Sequence, residues 1–114
     1  MALTTIKFNE IVEKAITLAD ITTEAKYADD MDKMIDACGY SWVTIIADGR
    51  SRLGQVVKRN KHFNSDYIPK HFSLWSNGVT RRTQNLCIKE YWCDQIAKFL
   101  CDNGIQAYQR SRLD

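Results

Sequence analysis

Trp42-Val43-Thr44-Ile45-Ile46-Ala47-Asp48-Gly49 is the stretch where the chain changes period. Five consecutive β-branched or aromatic residues predict a strand over 42–46. Asp48-Gly49 behind them is a two-residue hairpin signal, because both residues tolerate the positive φ that a tight reverse turn needs. A returning strand is therefore expected through Leu53 to Val57, with Gly54 marking a bulge. Residues 58–69 read as an irregular polar loop, in which Pro69 holds Ile68 extended. Phe72-Ser73-Leu74-Trp75 and Val79-Thr80, joined through Ser76-Asn77-Gly78, predict a second hairpin.

Helical periodicity lies on both sides of this region. Upstream, Phe8, Ile11, Val12, Ala15, Ile16 and Ala19 follow the i, i+3, i+4, i+7 spacing of an amphipathic helix, with Asn9 or Thr5 as candidate caps. Residues 2–8 read as a short strand or as the lead into that helix. Asp20-Ile21-Thr22-Thr23 interrupts the pattern, and Thr22 or Thr23 is placed to cap a second helix. Its stripe would be Tyr27, Ala28, Met31, Met34, Ile35 and Cys38, with Gly39 as C-terminal cap. Downstream, Thr83 to Asn103 reads as a third helix, apolar on all but a narrow stripe of Glu90, Asp94, Lys98 and Asp102. A helix that apolar belongs in the interior. Asn103-Gly104 ends it, Ile105–Tyr108 reads as a short final strand, and Gln109–Asp114 as a polar tail. The fold class expected is α+β in one domain, 1–114. It comprises two N-terminal amphipathic helices, an antiparallel sheet of about four strands built from two hairpins, a buried C-terminal helix and a short final strand.

Composition sets outer bounds. A chain of 114 residues, 45% hydrophobic and 26% charged, has the makeup of a globular domain. No apolar run reaches the roughly 20 residues of a membrane span, and the first residues lack a signal peptide's basic and apolar segments, so the expected location is cytoplasmic. Cys38, Cys87, Cys93 and Cys101 show no Cys-x-x-Cys pair. On a straight helix Cys87 and Cys93 stand about 9 Å apart and Cys93 and Cys101 about 12 Å, beyond the reach of a disulfide or a shared zinc. Reduced thiols acting as small core side chains, with no metal or other cofactor, are expected.

The net charge of +2 conceals a division along the chain. Up to Asp48 there are nine acids and four bases, and from Arg50 onward twelve bases and five acids. The excess concentrates in residues 50–82, where Arg50, Arg52, Lys58, Arg59, Lys61, Lys70, Arg81 and Arg82 are offset by Asp66 alone. Phe63, Tyr67, Phe72 and Trp75 are interleaved with them. Cations that neutralise phosphates beside rings that stack on bases are what nucleic acid requires, so these eight residues are the candidate nucleic-acid-binding set. The competing reading is structural: an acidic helical hairpin lies against the basic sheet, and Phe72, Leu74 and Trp75 fill the core.

Two alternatives remain. Asp29, Asp30, Asp32 and Asp36 on one face of the second helix would serve a basic protein partner. That is the chemistry of a small inhibitor or accessory protein, of the sort viruses and mobile elements carry. An anionic protein surface is likewise a candidate partner for the basic stretch, and three tryptophans in so short a chain admit a homodimer. His62 and His71, each between a lysine and a phenylalanine, would make a metal-independent nuclease if both converge on one phosphate. Asp29-Asp30-x-Asp32 lacks the glycine and distal glutamate of a calcium loop. Gly49 and Gly54 are not followed by the Gly-Lys-Ser/Thr of a phosphate-binding loop, and no Gly-x-Ser-x-Gly elbow is present. No catalytic residue is assigned, and a non-enzymatic binding module is the leading expectation.

Overall fold

A computed structural model describes residues 3–113. The elements run α1 (Thr5–Tyr27), β1 (Gly39–Ile46), α2 (Arg52–Lys58), β2 (Asn64–Ser65), β3 (His71–Trp75), a 3₁₀ helix (Gly78–Arg82), α3 (Leu86–Asp102) and β4 (Tyr108–Leu113). The class is α+β, as expected: helices pack with a four-stranded antiparallel sheet in the order β2-β3-β1-β4. No helix among the described residues is long and apolar enough to cross a membrane.

Strand alternation separates the two faces of this sheet. Val43 and Ile45 of β1 and Phe72 and Leu74 of β3 point inward. They share one core with Phe8, Val12 and Ala15 of α1, Val56 and Val57 of α2, and Trp92, Ile96 and Leu100 of α3. Burying each of the larger side chains stabilises the fold by roughly 1.5–3 kcal/mol. All three α-helices send their apolar stripes to this face. The opposite face, carrying Tyr40, Trp42, Thr44 and Ile46 of β1, has no helix over it.

The elements differ from the sequence expectation in four places, each for a physical reason. There is no second N-terminal helix. α1 runs straight through Asp20–Thr23, because these residues serve tertiary and local bonds instead of capping. Asp20 Oδ1 accepts from the Trp92 indole N–H at 2.8 Å and from the Val79 amide at 3.1 Å, and the Thr22 hydroxyl donates back to the Leu18 carbonyl. Its N-cap is Thr4, whose Oγ1 accepts from the Lys7 amide. Residues 28–38 are then turns and irregular chain ending in a single β-bridge from Cys38 to Asn85, and Gly39 opens β1.

The returning strand at Leu53–Val57 is instead α2. Asp48 Oδ1 accepts from the Arg50 amide, and Ser51 Oγ accepts from the Gly54 amide as a helix N-cap, so the Asp48-Gly49 turn feeds a helix. β1 therefore pairs with β3, at Trp42↔Trp75 and Ile45↔Phe72, and not with its sequence neighbour. Val79 and Thr80 lie in the 3₁₀ helix, where Asp20 receives the Val79 amide, so the second hairpin is absent too. The one hairpin here joins β2 to β3. Finally, the last strand lies further on than expected. Ile105 and Ala107 drop into the core, and the polar tail becomes β4, paired antiparallel to β1. Asp114 of that tail and residue 2 of the N-terminal lead lie outside the described residues.

α3 meets its expectation. Leu86, Ile88, Trp92, Cys93, Ile96, Ala97 and Leu100 are buried, and Asp94 pairs with Lys98 one turn on at 3.2 Å. All four cysteines are free thiols, but of the four only Cys93 is a core side chain: Cys38 and Cys87 are half-buried and Cys101 is exposed at the end of α3. Burial pushes the Cys93 thiol up to about 12, as suits a core side chain.

Candidate functional site

The uncovered sheet face carries the chemistry. Directly opposed residues of antiparallel strands share a face, so the register lays out rows across the sheet. One row is Trp75–Trp42–Arg110, across β3, β1 and β4. A neighbouring row places Tyr40 beside Arg112, and another is Ser73–Thr44–Tyr108. The indole rings of Trp42 and Trp75 stand 4.7 Å apart at 33°, and Tyr40 meets Trp75 edge-on at 6.2 Å. The Arg112 guanidinium lies 5.2 Å from the centre of the Tyr40 ring, and Lys89 Nζ 5.6 Å from it. Trp75 is 45% exposed and Tyr40 40%, in contrast to the fully buried Trp92 and Phe8 of the core.

A cavity of about 310 Å³ opens on this face. Trp42 and Trp75 form one wall, Arg110 and Arg112 line another, and the 66–71 segment closes the rim. That segment is tied down. The Asp66 amide donates to the His71 carbonyl, and the Ser73 hydroxyl donates to Asp66 Oδ2 at 2.8 Å. The Ser73 hydroxyl holds the Asp66 carboxyl below the usual carboxylate range, with help from the Tyr67 and Ile68 amides and the His71 ring. Asp66 is thus a carboxylate at neutral pH, and the only acid among the described residues that line the cavity. His71 Nδ1 faces the Pro69 carbonyl at 2.9 Å, so this nitrogen carries a proton that the carbonyl accepts. Thr44, 1% exposed, lines the cavity with an Oγ1 that has no hydrogen-bond partner.

The eight basic residues singled out in the sequence are dispersed. Arg50, Arg52, Lys58 and Arg59 flank or belong to α2, and Arg50 lies 3.6 Å from Asp48. Lys61 reaches Glu13 of α1 at 3.9 Å, and Arg82 reaches Glu24 of α1 at 3.3 Å. Arg81 is exposed on the 3₁₀ helix, and Lys70 is exposed in the β2–β3 turn, where its charge acts on Asp48 and it does not line the cavity. Of the interleaved aromatics, Phe63 and Phe72 are core residues, whereas Tyr67 (93% exposed) and Trp75 belong to the open side. His62 is bonded to Glu13 at 2.7 Å, and the cavity that His71 lines does not include it. The two imidazoles are not brought to one site.

The acidic quartet forms no helix face. Asp29 and Asp32 are exposed in the turns after α1. The Asp30 carbonyl accepts the Lys33 amide, and Asp36 Oδ2 accepts the Cys87 amide in the first turn of α3. The Ala37 and Cys87 amides hold the Asp36 carboxyl below its ordinary range. Among the described residues no group of three or more His, Cys, Asp or Glu side chains is placed to hold a metal.

Tyr40, Trp42, Arg110 and Arg112 are the residues that sequence reading passed over. Their signal is a period of two: Tyr40 and Trp42 alternate with Ser41 and Val43, and Arg110 and Arg112 alternate with Gln109 and Ser111. The chain matches no protein-family model, no curated protein and no solved structure, so the reading of the site rests on its geometry.

Proposed function

We propose that this protein is a non-enzymatic module that binds single-stranded nucleic acid across the open face of its sheet. The observation that carries this reading is the Trp42–Trp75 pair flanked by Arg110 and Arg112 on the face that no helix covers. Exposed indole faces accept unpaired bases by stacking, worth roughly 1–3 kcal/mol per base, while guanidinium groups neutralise phosphates along the strand. A duplex keeps its base faces stacked inside, so flat rings on a sheet favour single strands. Lys89 beside Tyr40 adds positive charge at the edge of the same face.

The test is fluorescence polarisation with labelled 12-mer single-stranded DNA, the same sequence as RNA, and the duplex, each at low and high salt. Single strands are expected to bind more tightly than the duplex, with affinity falling as salt rises. Trp75→Ala should weaken binding by about tenfold, yet shift the thermal midpoint little, since this ring is already half in water. Absence of binding at low salt, or indifference to Trp75→Ala, overturns the reading.

A further inference from the structure

We infer that the cavity on the open sheet face selects guanine from the bound strand, an inference that rests on the single-strand reading above. Its volume of about 310 Å³ falls at the small end of ligand pockets, which suits one base and not a base pair. The recognition chemistry is in its lining. An ionised carboxylate only accepts hydrogen bonds, and its two oxygens offer about four lone-pair sites, of which Asp66 shares some with the Ser73 hydroxyl and the Tyr67 and Ile68 amides. Guanine alone among the four bases presents two adjacent N–H donors on its Watson–Crick edge, N1–H and the N2 amine, matched to the two oxygens of a carboxylate. Adenine and cytosine place a ring-nitrogen lone pair there. Uracil and thymine flank their single N–H with two carbonyls, which a carboxylate repels.

The opposite edge of guanine also finds a complement. Its O6 and N7 accept both prongs of a guanidinium fork, and two arginines line the cavity across from Asp66's rim. Trp42 and Trp75 supply the stacking wall. Thr44 in the lining has a buried hydroxyl with no hydrogen-bond partner. An anionic residue with aromatic walls would also attract a bare cation, but Arg110 and Arg112 in the same lining oppose one.

The experiment uses the full chain and four labelled nine-residue oligomers, all adenine except for a central guanine, inosine, cytosine or adenine. The guanine oligomer is expected to bind about tenfold more tightly than the cytosine and adenine ones. Inosine, which lacks the N2 amine, should lose most of that gain. Asp66→Asn retains an oxygen for the Ser73 hydroxyl but presents a donor where an acceptor is needed. It should erase the preference for guanine while still binding the all-adenine strand, and that residual binding certifies the fold of the variant. Equal affinity for all four oligomers, or a guanine preference that survives Asp66→Asn, ends the guanine assignment and leaves strand binding in place. Failure of every oligomer to bind ends both.

Discussion

Asn85 is fully buried and its carboxamide is occupied at both ends. Oδ1 accepts from the Ile35 and Asp36 amides at 2.9 and 3.1 Å, and Nδ2 donates to the Lys33 carbonyl and to Thr83 Oγ1. One side chain therefore satisfies backbone groups of an irregular segment some fifty residues away in sequence. Asn85→Ala would strand those groups in the interior. At roughly 1–3 kcal/mol for a buried polar group left unpaired, the variant should lose about 2–4 kcal/mol in urea unfolding. Proteolysis at the exposed Lys33 should accelerate, because Asn85 holds the middle of the 28–37 segment between the buried Met31 and the bonds of Asp36 and Ala37 to α3. Unchanged stability would mean that the segment finds another anchor. This contact also explains why the stripe Tyr27, Met31, Met34, Ile35 and Cys38 misleads. Its spacing is helical, but the amides of Ile35 and Asp36 are taken by Asn85 before a helix can use them.

At the scale of elements, α2 shows two principles pulling in opposite directions. Gly54 lies inside a helix, where Ala is ordinarily better by about 1 kcal/mol. A Cβ at Gly54, however, would collide with the Asp48 carbonyl oxygen, a backbone atom that cannot swing aside. Gly54→Ala should accordingly lower the thermal midpoint, with a loss of about 2 kcal/mol or more from the displaced helix and its buried Val56 and Val57. A rise in the midpoint would show that α2 rides freely on the 48–49 turn. The same close approach explains why the segment was illegible. Leu53 to Val57 ends on two β-branched valines behind a turn signal, and nothing local reports that Ser51 caps a helix whose first turn touches Asp48. By contrast, β1 and α3 were legible, because the run Trp42–Ile46 and the near-continuous apolar surface of Leu86–Leu100 each demand burial in one form only. The final strand was expected, but its bounds were set too early for the reverse reason. An edge strand with one face in water needs few apolar residues, so Arg110, Ser111 and Arg112 look like a tail although their alternation is that of a strand. The cluster of Arg110 and Arg112 with the tryptophans was not legible along the chain, because only β pairing brings residues 110 and 112 beside Trp42 and Trp75.

For the whole molecule, the question is what the division of charge accomplishes. Part of it is internal: Glu13 of α1 meets Lys61 and His62, and Glu24 meets Arg82. These pairs are exposed, and pairs of that kind contribute little, typically below about 1 kcal/mol. What remains is two separate basic regions, one around α2 with Arg52 and Arg59, the other on the sheet face with Arg110 and Arg112. They make opposite claims about where a polyanion lies, and salt dependence distinguishes them. Each phosphate neutralised on a single strand adds about 0.7 to the slope of log affinity against log salt. Removing the two sheet arginines, as Arg110→Ala with Arg112→Ala, should flatten that slope by about 1.4 and weaken binding at low salt more than tenfold. Removing the α2 pair, as Arg52→Ala with Arg59→Ala, deletes the same formal charge from the same molecule. It should leave the slope nearly intact, since only the long-range field changes and the Debye length at 0.15 M salt is about 8 Å. Equal net charge in the two double variants makes the comparison one of position alone. If the α2 pair governs the slope and the sheet pair does not, the strand lies along α2 and the tryptophan face serves another ligand.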